Sequence, residues 1–205
     1  MYRILILLSL LPLMGRCGLA DDEQDEKQKY EYLRFADTAF ENLCLAQYDL
    51  NHDGRISRYE SRRVLHLDCS KCGIRSLIDL REFERLRNLD CSRNQLTDLD
   101  LRKCTYLQNV DCSSNELNDL NLDGLHSLGE LRCGQNRLIG LDLQDNISLR
   151  FLDASRNDLQ TLDVSHCHHF MEVNVRENPR LEVLYVARGQ DVRDVRDPHT
   201  QIVVR

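Results

Sequence analysis

"LRNLDCSRNQLTDLDLRKCTY", residues 86–106, and "LQNVDCSSNELNDLNLDGLHS", residues 107–127, are two writings of one 21-residue pattern. "LGELRCGQNRLIGLDLQDNIS" (128–148) and "LRFLDASRNDLQTLDVSHCHH" (149–169) continue it in register. The opening unit, 64–85, is one residue longer, a shortened unit starts at Phe170, and "LEVLYV" from Leu181 reads as a last strand. A unit of this size cannot bury its own apolar side chains, so repetition at a fixed period specifies a solenoid in which each turn is stabilised by its neighbours.

The columns say how each turn is built. Leu89, Val110, Leu131 and Leu152, followed two residues later by Cys91, Cys112, Cys133 and Ala154, alternate with polar neighbours at the period of a strand. Each unit therefore contributes one short strand to a parallel sheet. Leu96, Leu117, Leu138 and Leu159, then Leu99, Leu120, Leu141 and Leu162, carry the chain back across the inside of the coil. Asn94, Asn115, Asn136 and Asn157 fall where the chain leaves the strand, at a turn whose buried backbone groups need partners, which predicts an internal asparagine ladder with Cys72 as its first member. The consensus L-x-x-L-x-C-S-x-N-x-L-x-x-L-D-L resembles the bacterial leucine-rich repeat family over residues 64–187. One continuous α/β solenoid from about Val64 to Val186 is the expected fold, with residues 188–205 as C-terminal closure.

Immediately before the array stands "DLNHDGRISRYE", residues 49–60. An EF-hand calcium loop needs oxygen ligands at positions 1, 3, 5, 7, 9 and 12 and a glycine at position 6. Asp49, Asn51, Asp53, the carbonyl of Arg55, Ser57 and Glu60 fill those positions, Gly54 supplies the turn, and Ile56 is the apolar anchor at position 8. The apolar positions Leu33, Ala36, Phe40, Leu43, Cys44 and Tyr48 predict a helix over 30–48, so residues 30–63 read as an EF-hand-like helix-loop-helix cap. The motif usually works in pairs and no second loop occurs, so a bound calcium ion here braces the joint between cap and solenoid rather than opening a groove.

Residues 1–20, with Arg3, an apolar run from Ile4 to Met14 and small residues at Gly18 and Ala20, read as an export signal, and 21–29, "DDEQDEKQK", as an acidic linker. Cleavage after Ala20 gives a freely secreted protein, and cleavage before Cys17 gives a lipid-anchored one. The apolar run is too short to span a membrane, which takes about 20 residues. The formal charge of −7, with 27 basic residues scattered among 34 acidic ones, speaks against nucleic acid.

Nine cysteines would suit disulfides in an exported protein. Cys91, Cys112 and Cys133, however, share one buried column, which predicts free thiols, and the repeat register explains Cys69 and Cys72 of "CSKC" without a zinc site. "SHCHHF", with His166, His168 and His169 around Cys167, reads as a turn rather than a metal trap. No G-x-S-x-G elbow, phosphate loop or H-E-x-x-H occurs, so no enzyme is predicted.

The exposed sheet columns are expected to hold His66, Asn88, Asn109, Glu130, Phe151, Glu172 and Val183, and Asp68, Asp90, Asp111, Arg132, Asp153, Asn174 and Tyr185. Stacked carboxylates point to a protein partner with a basic surface on this concave face, although the acids also repeat simply with the unit. The whole chain resembles exported bacterial proteins in which one EF-hand-like cap precedes leucine-rich repeats. That resemblance implies a secreted or surface-bound, adhesin-like interaction module. The alternative is a structural or glycan-binding accessory lipoprotein of a surface assembly.

Overall fold

The computed structural model describes residues 31–168 and 170–205. The signal-like segment, the acidic linker and Cys17 lie outside the described residues. Helix α1 (Thr38–Tyr48) and the single turn α2 (Arg58–Ser61) precede β1 (His66–Asp68), a 3-10 turn (Ile78–Glu82), β2 (Asn88–Asp90), β3 (Asp98–Asp100), β4 (Asn109–Asp111), β5 (Asp119–Asn121) and β6 (Glu130–Arg132). Then come β7 (Phe151–Asp153), β8 (Thr161–Asp163), β9 (Phe170–Asn174), β10 (Val183–Val186), β11 (Asp191–Val195) and β12 (Gln201–Val204).

The strands wind into a parallel solenoid of about seven turns. One sheet has seven strands in the order β1-β2-β4-β6-β7-β9-β11, and the back of the coil carries two smaller sheets, β3-β5 and β12-β10-β8. Register follows the repeat: Leu89 stands beside Val110, Val110 beside Leu131 and Leu131 beside Leu152, each fully or almost fully buried. Among the described residues no helix is long and apolar enough to cross a membrane.

The predicted asparagine ladder is present and longer than expected. The Asn115 side chain donates to the carbonyls of Cys91 and Cys112, both at 3.0 Å, and accepts from the Leu96 N–H at 3.1 Å. Asn94, Asn136 and Asn157 repeat this arrangement, and Asn178 adds a further rung by bonding the Ala154 and Val175 carbonyls and the Leu159 N–H. Cys72 is no rung: it is exposed, its Sγ meets the Ser70 carbonyl, and only its N–H joins the ladder, donating to Asn94. The residue before each rung, Arg93, Ser114, Gln135, Arg156 or Glu177, is held at φ of 56–58°, as is Lys71 before Cys72. That left-handed conformation is unfavourable for a side-chain-bearing residue, and the ladder bonds on the next residue offset its cost.

Two further expectations are corrected. The helix predicted over 30–48 begins only at Thr38, because Asp37 sits at its N-cap and accepts from the N–H groups of Ala39 at 2.8 Å and Phe40 at 3.1 Å. The other Asp37 oxygen accepts from the N–H groups of Arg75 and Ser76 in the first coil, and Asp79 of that coil accepts from the Ala36 N–H at 2.7 Å. Two carboxylates thus staple the entry segment to the solenoid, and Phe40 packs against Phe83 with ring centroids 5.7 Å apart.

At the other end, Val183 and Tyr185 do not continue the seven-stranded sheet. They pair with Thr161 and Asp163 on the back of the coil, while Arg193 and Val195 stand beside Glu172 and Asn174. The coil therefore runs on past residue 187. Its last rung puts Asp194 beside Val173, in the column that earlier rungs fill with aliphatic groups, and Asp194 is ion-paired with Arg196. An inward-pointing charge on an edge strand discourages further strands from adding to it.

Candidate functional site

The loop from Asp49 to Glu60 is shaped by its own polar side chains. Asp49 accepts from the N–H groups of Asp53 (3.2 Å) and Gly54 (2.9 Å), Asn51 accepts from Asp53 N–H (3.1 Å), and Asp53 accepts from Arg55 N–H (3.0 Å). This folding demands left-handed backbone at His52 (φ 58°) and Gly54 (φ 77°), and the glycine takes it without a Cβ penalty. Ile56, 1 % exposed, plugs the loop into the core.

Ser57 and Glu60 form a capping box on α2: the Glu60 carboxylate accepts from the Ser57 N–H (2.8 Å) and hydroxyl (2.7 Å), and its other oxygen accepts from the Leu50 N–H at 2.9 Å. Glu60 is 2 % exposed, an acid buried among neutral donors.

The six residues singled out by spacing are thus gathered in two groups: Asp49, Asn51, Asp53 and the Arg55 N–H in one, Ser57 and Glu60 in the other. Among the described residues no three His, Cys, Asp or Glu side chains stand together at metal-ligand spacing. The donor chemistry, three carboxylates with an amide, a hydroxyl and a backbone carbonyl, fits a hard cation that takes oxygen ligands. Binding through Glu60 requires its carboxylate to exchange hydrogen bonds that it now makes to Leu50 and Ser57.

Sequence reasoning missed the residues that hold this loop from outside. Glu31, Tyr32 and Leu33 run antiparallel to its exit, with a bridge between Tyr32 and Ser57. Nothing in the motif marks them; only the extended, unpaired backbone at positions 7 to 9 implies that a partner strand is required.

The second candidate is the open face of the seven-stranded sheet. One column reads His66, Asn88, Asn109, Glu130, Phe151, Glu172 and Arg193, the next Asp68, Asp90, Asp111, Arg132, Asp153, Asn174 and Val195. The aspartates have a local role: Asp68, Asp90, Asp111 and Asp153 each accept from the N–H of the serine two residues on, closing the turn that ends the strand. The N–H and hydroxyl of Ser70 hold the Asp68 carboxyl below the usual range. In the unit where Arg132 replaces Asp, Gly134 replaces the serine, so the pair is lost together. Arg132 instead pairs with Glu130 at 3.0 Å and lies 4.7 Å over the Phe151 ring, giving the face a cationic and aromatic centre beyond its acidic start.

The remaining candidates are placed simply. No described cysteine is bridged, and burial pushes the Cys44, Cys104 and Cys167 thiols up to about 12. Cys69, Cys91, Cys112 and Cys133 form one buried column, raised in the same direction. Cys167 is buried beside His166 in the turn after β8, and His169 lies outside the described residues.

This architecture is that of a leucine-rich repeat solenoid. No protein-family model and no curated protein matches the chain. Among solved structures, the chain is similar to the functional domain of InlJ from Listeria monocytogenes, which includes a cysteine ladder: 28 % identity and a TM-score of 0.65, over 75 % of this chain and 36 % of that one. The leucine-rich repeat domain of APL1B shares the fold at 18 % identity and a TM-score of 0.53, over 96 % of this chain and 63 % of that one. The chain thus spans about a third of the InlJ domain and under two thirds of APL1B.

Proposed function

We propose that this protein is an exported protein-interaction module that binds a partner on the open face of its seven-stranded sheet and is braced at its N-terminal end by calcium. The observation that carries the reading is the face itself. Two side-chain columns cross seven strands, and three successive aspartates, Asp68, Asp90 and Asp111, lead to the stacked Arg132 and Phe151. Rigid backbone fixes the spacing of these groups, and carboxylates aligned at strand separation favour a partner that brings Lys or Arg.

The test is charge reversal: cell-surface proteins cross-linked to the parent are compared with those cross-linked to an Asp68→Lys, Asp90→Lys, Asp111→Lys variant. The reading expects at least one basic partner to be lost from the variant. Identical cross-linked sets from the two proteins contradict it.

The calcium reading names Asp49, Asn51, Asp53, the Arg55 carbonyl, Ser57 and Glu60 as ligands. The ion would supply positive charge beside the buried Glu60, the half-buried Asp49 and the exposed Asp53, between α1 and the first coil. Export rests on the sequence of residues 1–20, and radiolabelled palmitate distinguishes a lipid at Cys17 from free secretion.

A second reading, a glycan-binding accessory protein, is favoured by the polar notch of about 420 Å³ opened at Gly134 and lined by Ser113, Gln135, Asp153, Ser155 and Asn174. A glycan array separates it from the first.

A further inference from the structure

A solitary calcium loop of this kind has an unpaired edge. Its exit, Ile56 and the extended Ser57 leading into the first residue of α2, carries N–H and C=O groups that need partners, and a loop without them would have to order that stretch at the moment of binding. Here the partner comes from the chain's own entry segment. The Leu33 N–H donates to the Ile56 carbonyl at 2.7 Å, and the Arg58 N–H donates to the Glu31 carbonyl at 2.8 Å. Between these two bonds the Tyr32 hydroxyl donates to Asp53 Oδ2 at 3.0 Å, the oxygen that Asn51 also holds, and the Arg55 guanidinium lies 5.0 Å from the Tyr32 ring centroid. The segment is then fixed to the solenoid through Ala36 on Asp79 and Asp37 on Arg75 and Ser76.

We infer that residues 31–33 take the place of the missing second hand: they complete the calcium loop, and Tyr32 is the positioning residue that sets the Asp53 carboxylate. This rests on the calcium reading above and adds its regulation. Ion binding and docking of the N-terminal segment become one coupled event, so the strand raises calcium affinity by the same factor by which calcium tightens the strand. The end of the module that follows residues 1–20 in the chain is therefore the end that calcium locks.

The experiment uses the full chain and calcium alone. Calorimetric titrations of the parent, Tyr32→Phe and Leu33→Pro give affinities, and hydrogen exchange with and without calcium reads the Leu33 and Arg58 amides. Removing the Tyr32 hydroxyl is expected to weaken calcium about fivefold, and Leu33→Pro, which deletes a backbone donor, about tenfold or more. In the parent, calcium slows exchange at both amides. Calcium-free unfolding midpoints report whether the solenoid survives each substitution. If Leu33→Pro does not fold, Tyr32→Phe, which removes one exposed hydroxyl, carries the test. Parent affinity retained in the folded variants, or amide exchange indifferent to calcium, overturns this inference and leaves the calcium reading standing. No binding by the parent overturns both.

Discussion

Replacing Asn115 by alanine isolates what the ladder contributes. Three hydrogen bonds of 3.0–3.1 Å disappear, with a longer one of 3.4 Å to the Ser113 carbonyl, but their loss is unequal. The Cys91 carbonyl keeps the Asn94 side chain at 3.0 Å and the Cys112 carbonyl keeps Asn136 at 3.1 Å, whereas the Leu96 N–H has Asn115 as its acceptor. One buried N–H is therefore orphaned, at a cost of about 1–3 kcal/mol, and two shared bonds are lost at the smaller net value of about 0.5–1 kcal/mol each, so the total is about 2–5 kcal/mol. Asn115→Asp keeps an acceptor for Leu96 but presents charge to two carbonyl oxygens, and costs at least as much. Urea unfolding followed by circular dichroism measures both. A change below about 0.5 kcal/mol for Asn115→Ala refutes the reasoning, since ordinary surface substitutions fall in that range.

Other outcomes follow from the same contacts. Leu131→Asp places an unpaired charge at a position 0 % exposed and should lower stability by about 3–5 kcal/mol in the same assay. Burial works to raise the Asp37 carboxyl, but N–H donors from Arg75, Phe40, Ser76 and Ala39 outweigh it and hold the group below its ordinary value. Its contribution is therefore present above the unfolded carboxylate range, near pH 4, and is lost as pH falls through the folded value. Asp37→Asn should flatten that acid limb of the stability curve, and an unchanged curve contradicts the staple. At free calcium about ten times a dissociation constant in the range of 10⁻⁴ to 10⁻³ M, the parent should gain about 1.4 kcal/mol in thermal melts; Glu60→Gln should lose most of that gain and Arg55→Ala should keep it. Iodoacetamide should label Cys72 in the folded chain and reach Cys91, Cys112 and Cys133 only after denaturation, as mass spectrometry would show; resistance of all three in the denatured, unreduced protein would contradict free thiols.

The coil was legible because its determinants are local and repeated. A leucine column, an asparagine at one corner and a strand period recur every 21 residues, and each copy corroborates the others. The register failed where the repetition was broken by one residue. Leu181, Leu184 and Val186 keep the spacing of Leu159, Leu162 and Val164, but one extra residue follows Asn178, and the segment was assigned to the front sheet instead of the back. Without the ladder role of Asn178 in view, the shift is invisible.

The helix start failed for a different reason. Apolar spacing over Leu33 and Ala36 does suit a helix, but Asp37 and Ala36 are held by Arg75, Ser76 and Asp79, nearly forty residues or more away in sequence. The loop residues were singled out one by one by their spacing. Their separation into two hydrogen-bonded groups, and the support from Glu31, Tyr32 and Leu33, depend on tertiary contacts that no motif encodes.

The claim that the open sheet face is the binding surface is tested most directly by placing a photo-cross-linking residue at Asn109 and Glu130, in the first column of that face, and at Ile139, 54 % exposed and outside both columns. The account predicts that the cell-surface partner is captured from positions 109 and 130 and not from 139. Capture from 139 alone, or equally from all three, would contradict it.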